Sequence, residues 1–356
     1  MKVFNDSEKK FFSRINEKLN IRSSIDNIIF IYSLPKVGST SLVSSIRIFG
    51  SQCYDIIHIH DDKMLVFFLE ENVSVMDVIY FNKFIGKQVL VINIYREPIE
   101  RKISDFFEKI SFHFNISKDN VHKIPISVLI KRFNNIFDNI ESKDRFLNTY
   151  QIPLPEKFDF KNKYNLVIFN DVKFLTLRLQ DSKTWSNILT SILKHKIVII
   201  SDYETSNKTY AELYLAFKKK YQIPINLFDK IKNNSDFNFY LSDDEKNHYI
   251  NSWQNKVDKE FITYSNEQYL LYLSICSENN IEDKIEPMHY KDEGCLCKAC
   301  SNNRLLLQNL IMANKYNGET NYHNEIVNNY LNKKKQILNK LIKKKSTNQF
   351  QKLRIV

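Results

Sequence analysis

Glycine is scarce in this chain: five residues in 356, with none between Gly86 and Gly294. Together with abundant Asn, Lys and Ile, this scarcity reads as a coding bias and carries no functional weight. It does limit which glycine-dependent loops the chain can build. No run reaches the roughly 18 uncharged apolar residues of a membrane helix, and Met1 to Glu8 lacks a signal peptide's apolar centre. The expectation is a soluble, cytoplasmic protein without a transmembrane segment. Cysteine is also sparse: four of the five lie after residue 275, which is not the paired framework of a secreted domain and fits a reducing compartment. There is no internal repeat.

What is present begins at Asn27. Asn27 to Tyr32 is apolar and β-branched enough for a buried parallel strand; Pro35 and Gly38 then force an irregular loop, and helical periodicity resumes from Thr40 to Phe49. A loop leading into a helix N-terminus presents unpaired amides and the positive end of the helix dipole. With the ammonium of Lys36 alongside, Pro35, Lys36, Val37, Gly38, Ser39, Thr40 and Ser41 form a candidate site for a phosphate or sulfate. The order of residues departs from Gly-x-x-x-x-Gly-Lys-[Ser/Thr], in which the lysine follows the second glycine. Here Lys36 precedes Gly38, and no glycine lies upstream within the loop.

A second strand-to-helix unit follows. Gln88 to Tyr95 is another buried-strand run, ending in Arg96-Glu97-Pro98. Pro98 suits a first helical turn, where its missing N–H costs nothing. On that helix Ile99, Ile103, Phe106, Phe107 and Ile110 supply the core face, while Arg101, Ser104 and Glu108 share another at three- and four-residue spacing. Arg96 and Ser104 are therefore candidates to converge on one small anion.

These two segments, Lys36 to Ser41 and Arg96 to Ser104, resemble the 5′-phosphosulfate loop and the 3′-phosphate segment of sulfotransferases that use 3′-phosphoadenosine 5′-phosphosulfate (PAPS). Within that superfamily the run from Tyr95 to Phe107 is most similar to carbohydrate sulfotransferases and bacterial capsular polysaccharide synthesis proteins. The likeness covers roughly residues 25 to 255. The Arg-Lys-Gly-x-x-Gly-Asp segment of cytosolic small-molecule sulfotransferases is absent, so no adenine contacts carry over.

The resemblance implies sulfuryl transfer from PAPS to a hydroxyl, with a saccharide as acceptor. It implies that Lys36 and the amides of Gly38 to Ser41 stabilise the charge on the bridging oxygen, and that Arg96 and Ser104 anchor the 3′-phosphate. A general base must take the acceptor's proton. His60 is the first candidate and His58 the second: both lie on one face of a short strand, with His60 at its carboxyl end beside the loop. Asp61, Asp62 and Glu97 are further candidates, although Glu97 also reads as a helix cap.

The overall pattern predicts an α/β, P-loop-like three-layer fold: a central parallel sheet flanked by helices, plus a C-terminal helical extension. Strands are expected at Asn27 to Tyr32, Asp55 to His60, Gln88 to Tyr95, Tyr164 to Phe169, Phe174 to Gln180 and Lys196 to Ser201. Helices are expected at Ser7 to Leu19, Ser127 to Phe137 and, as one long amphipathic run, Ser242 to Ser274. The predicted organisation is an N-terminal helix (1–24), the α/β domain (25–285), and a Cys-containing connector with a basic helical tail (286–356). Ligands in such sheets bind at the carboxyl ends of strands, where both anion segments fall.

Charge is uneven. Of the net +11, residues 301–356 carry eleven Lys or Arg against two Glu, a net of +9, which leaves +2 for the rest. Lys333-Lys334-Lys335 and Lys343-Lys344-Lys345, set among Ile337, Leu338, Leu341 and Ile342, read as a basic amphipathic helix. Its possible partners are an acidic polysaccharide, an anionic membrane surface or nucleic acid. Cys295, Cys297 and Cys300, with His289 upstream, have the types for a structural Cys3His zinc site but lack a second Cys-x-x-Cys half.

Two other classes stay open on sequence alone. One is a P-loop nucleotide kinase-like phosphotransferase, for which no magnesium carboxylate is evident. The other is a nucleic-acid-binding protein using the basic tail and a zinc site around Cys295.

Overall fold

The computed structural model describes residues 3–136, 147, 149–201, 210–278 and 298–315. Its centre is a five-stranded sheet of β1 (Asn27–Tyr32), β2 (Tyr54–Ile59), β3 (Gln88–Tyr95), β4 (Tyr164–Phe169) and β5 (Val172–Arg178), in the order β2-β1-β3-β5-β4. Pairings among β2, β1, β3 and β5 are parallel. The sheet is thus mostly parallel, with one antiparallel edge.

The continuous apolar runs exist because both sheet faces are covered. Alternate residues point opposite ways. Ile28, Phe30, Ile57 and Val91 enter one core with α1 (Asp6–Lys18), α3 (Asp62–Leu69) and α4 (Val75–Phe84), whereas Ile29, Ile31, Ile56 and Ile92 enter another. That second core is closed by α2 (Ser39–Gly50) and by the helix Trp185–Leu193. The N-terminal helix α1 belongs to the body of the fold: Phe12 stacks on Phe81 at 5.3 Å, and Asn16 and Asn82 exchange side-chain hydrogen bonds of 3.0 Å.

A third, mostly helical core grows from the carboxyl end of β3. There α5 (Pro98–Glu108) buries Ile99, Ile103, Phe106 and Phe107 against α7 (Ile126–Ile136) and the helices Ala211–Lys220 and Ile225–Lys232; the short α6 (Ile110–Phe114) contributes Ile110. The helix Lys298–Met312 returns to α2, where the Gln308 side-chain amide donates 2.6 Å to the Ile48 carbonyl.

Three expectations are corrected. The sheet is not entirely parallel, because β4 and β5 form an antiparallel hairpin whose turn residues, Asn170 and Asp171, both have positive φ (49° and 60°). Lys196 to Ser201 is extended but joins no sheet. Its ladder positions are taken by side chains: the amides of Ile197, Ile199 and Ile200 donate to the hydroxyls of Thr190, Ser186 and Ser45 at 3.1, 2.9 and 3.0 Å. The long helix expected from Ser242 is two, Asp243–Gln254 and Asn266–Glu278, separated by a strand Val257–Asp258 that pairs with Ile223–Pro224. Among the described residues, no helix is long and apolar enough to cross a membrane.

Candidate functional site

The site forms where β1, β2 and β3 end together. β1 stops at Tyr32, and the chain turns through Lys36 and Gly38, which have φ of 67° and 86°. Gly38 is there for two reasons. Its backbone lies in the left-handed region, and an added Cβ would meet Leu179 Cδ1 at 2.7 Å. Trp185 braces this contact, with its indole N–H donating 3.2 Å to the Arg178 carbonyl. Gly38 is the N-cap of α2 and supplies no capping side chain, and the first turn holds no acidic residue. This end of α2 therefore carries the positive end of the helix dipole without a capping side chain, and the backbone bond from Leu42 to Gly38 is 3.3 Å. Val37 is anchored in the core beneath, and Pro35, Thr40 and Ser41 are half-buried.

Arg96 lies just past the end of β3 and reaches back to this loop. Its Nη1 donates 2.7 Å to the Lys36 carbonyl, so the two sequence segments, 60 residues apart, share one edge of the sheet. Arg96 is half-buried and makes no ion pair among the described residues. The Lys36 ammonium turns the other way, onto the carboxylate of Glu108 in the last turn of α5.

No family model, curated protein or solved structure matches this chain. The chemistry of the site has to be read from its own geometry.

His60 follows directly on β2. Its Nδ1 lies 2.8 Å from the carbonyl oxygen of Ser33. A carbonyl only accepts, so Nδ1 carries the proton, and Nε2 bears the lone pair in the neutral ring. Burial lowers the His60 pKa from its usual value; the Ser33 bond and the charges of Glu108 and Asp61 act in the opposite sense, and the Lys36 charge lowers it further. Burial thus favours the uncharged imidazole at His60. His58 packs edge-on to it at 4.7 Å and is almost fully buried, at 4% exposure, which sets it behind His60.

Between the loop and α5 lies a small cleft lined by Val37, Asn93, Tyr95, Arg96, Arg101 and Asp236. It encloses space for about one water molecule, far short of a nucleotide. Arg101 lines it, whereas Ser104 is buried along α5 and does not. Tyr95 presents a buried hydroxyl without a hydrogen-bond partner among the described residues, and burial raises its pKa well above the usual value. Glu97 occupies the N-cap position of α5, but its side chain makes no cap hydrogen bond; burial raises its carboxyl pKa.

The structure thus brings together Lys36, the α2 amides, Arg96 and His60, and leaves Ser104 apart from the cleft. Arg101 and Glu108 were visible in the sequence as members of the Ser104 face. Which of the three lines the cleft was not. No group of three or more His, Cys, Asp or Glu is placed for a metal among the described residues. Cys295, Cys297 and His289, the side chain of Cys300 and the basic tail lie outside the described residues.

Proposed function

We propose that this chain is a PAPS-dependent sulfotransferase that moves a sulfuryl group to a hydroxyl, with a carbohydrate or polysaccharide as acceptor. The observation that carries the reading is the hydrogen bond from Arg96 to the Lys36 carbonyl, which ties two anion-binding segments of different sequence origin into one edge. A nucleotide charged at both its 5′ and 3′ positions matches two such segments better than a single phosphate does. In this reading the fold is P-loop-like and three-layered, with the C-terminal helix as an extension, and the enzyme works in the cytoplasm.

The donor set fits the anionic groups of PAPS. The amides of Ser39 to Ser41 and the Lys36 ammonium would hold its 5′ side, and Arg96, with Arg101 beside it, its 3′-phosphate. When bound, PAPS would supply an activated sulfuryl group, whose bond to the 5′-phosphate oxygen breaks as the acceptor oxygen bonds to sulfur, with adenosine 3′,5′-bisphosphate as the leaving group. The α2 amides are preorganised for charge on the 5′ side, with Lys36 joining them once it is released from Glu108, and a single donor of this kind contributes about 3 kcal/mol. Arg96 holds the far end and so aligns the reacting end by remote binding energy. His60 takes the acceptor's proton at Nε2 while Ser33 fixes the ring through Nδ1. The saccharide acceptor rests on the likeness of Tyr95 to Phe107 to carbohydrate sulfotransferases, and the basic tail supplies positive charge for an acidic polymer or an anionic membrane surface.

The test is transfer of labelled sulfate from PAPS to a panel of glycans. Labelled glycan with the wild type, and none with Lys36→Ala or Arg96→Ala of unchanged circular dichroism, is the expected result. Retained transfer in both variants overturns the assignment.

A further inference from the structure

Glu108 is an oddly placed carboxylate. It closes α5, and the last turn of that helix holds no basic residue. Helix C-termini carry partial negative charge and favour cations, so a glutamate there works against its own helix. Its compensation comes from elsewhere in the chain: the carboxylate meets the ammonium of Lys36, whose side chain is only 13% exposed. The same ammonium belongs to the loop that opens onto the uncapped amides of α2. Lys36 is thus held at its backbone by Arg96 and at its tip by Glu108.

An anion arriving at the α2 N-terminus has to share or take that ammonium. We infer that Glu108 is a positioning residue for Lys36, one that holds the ammonium away from the α2 N-terminus and competes for it with any ligand whose 5′ oxyanion reaches the loop. The inference rests on the proposed nucleotide reading and adds to it a residue with a defined role. Glu108 weakens binding, and it does so only for ligands that reach Lys36. A carboxylate that merely stabilised α5 has neither property, and one that acted through bulk charge weakens both ligands alike.

The experiment is calorimetric binding of two probes, adenosine 3′,5′-bisphosphate and adenosine 3′-monophosphate, to wild type, Glu108→Gln and Asp105→Asn. Asp105 lies on the same helix and pairs with Lys109 at 3.9 Å, so its substitution removes the same charge without touching Lys36. The expected result is about fivefold tighter binding of the bisphosphate by Glu108→Gln, the scale of one partly exposed ion pair. No gain is expected for the monophosphate, nor for either probe with Asp105→Asn. Unchanged or weaker bisphosphate binding by Glu108→Gln overturns the inference, as does an equal gain for both probes or from Asp105→Asn. Wild-type binding without a gain in Glu108→Gln removes this role and leaves the nucleotide reading standing; no binding by any of the three chains removes both.

Discussion

Arg96 Nη1 donates 2.7 Å to the backbone carbonyl of Lys36. A side chain from the end of β3 thereby fixes the one loop residue that combines a left-handed backbone, φ 67°, with a cationic side chain. Hydrogen bonds from charged groups contribute about 1.5–3 kcal/mol. Arg96→Ala is expected to weaken adenosine 3′,5′-bisphosphate binding by at least that amount, since the loop anchor is lost and, on the proposed reading, a ligand contact with it. Arg96→Lys should recover little, because an ammonium lacks the guanidinium fork that serves a carbonyl and an anion together. Titration calorimetry on the three proteins checks this.

Gly38 is the second pressure point. Gly38→Ala places a methyl 2.7 Å from Leu179 Cδ1 at a φ of 86°. The left-handed backbone alone costs about 1–2 kcal/mol. Thermal melts should show that loss, and adding Leu179→Ala to Gly38→Ala should relieve the clash without restoring the wild-type value.

For His60 the sign follows from burial, which lowers its pKa below the usual 6.5. The imidazole must be neutral to accept a proton. Transfer should therefore rise with pH through a value below 6.5 and be level above it. His60→Ala should lose about two to four orders of magnitude in kcat. A rate that still climbs above pH 7 in the wild type would argue for a different base.

His113 titrates for structural reasons. It is buried against Phe106 with Nδ1 3.1 Å from the Tyr272 hydroxyl, and burial, helped by the charges of Lys109 and Arg132, lowers its pKa to about 4. The unfolded chain binds the proton near pH 6.5 and the folded chain does not, so stability falls as pH drops from about 6.5 toward about 4. Between pH 7 and pH 5 this one group removes about 2 kcal/mol. His113→Phe keeps the ring stack, and denaturant unfolding at the two pH values should show a loss smaller by that amount.

Arg178 stands at the end of β5, 2% exposed, bonded to Asp181 at 2.6 Å, Glu245 at 2.8 Å and the Tyr240 carbonyl at 2.8 Å. Arg178→Met strands a buried carboxylate, which costs about 3–5 kcal/mol. The same urea titration reads it.

The parts of the fold that were legible in the sequence are those where burial on both faces leaves an unbroken apolar run. β1, β3 and β4 lie at Asn27–Tyr32, Gln88–Tyr95 and Tyr164–Phe169, as periodicity predicts. The antiparallel β4–β5 turn escaped notice because its signal is two residues, Asn170 and Asp171, between apolar runs. Lys196 to Ser201 has strand composition, yet two hydroxyls from the preceding helix and one from α2 take its amides, and no strand pattern encodes that. At the site, the loop and Arg96 were readable as motifs. The Lys36–Glu108 pair was not, since it joins residues 72 positions apart across two elements; its one local trace is an acidic residue where a helix end favours a basic one.

The most direct test of the central claim, that Lys36 and Arg96 serve one doubly charged adenosine nucleotide, is the shift in melting temperature on adding ligand. Saturation at about 100 times Kd adds about 2.7 kcal/mol to stability. Adenosine 3′,5′-bisphosphate should raise the melting temperature of the wild type and leave Lys36→Ala and Arg96→Ala unmoved. A rise with ATP and magnesium, and none with the bisphosphate, would contradict the account.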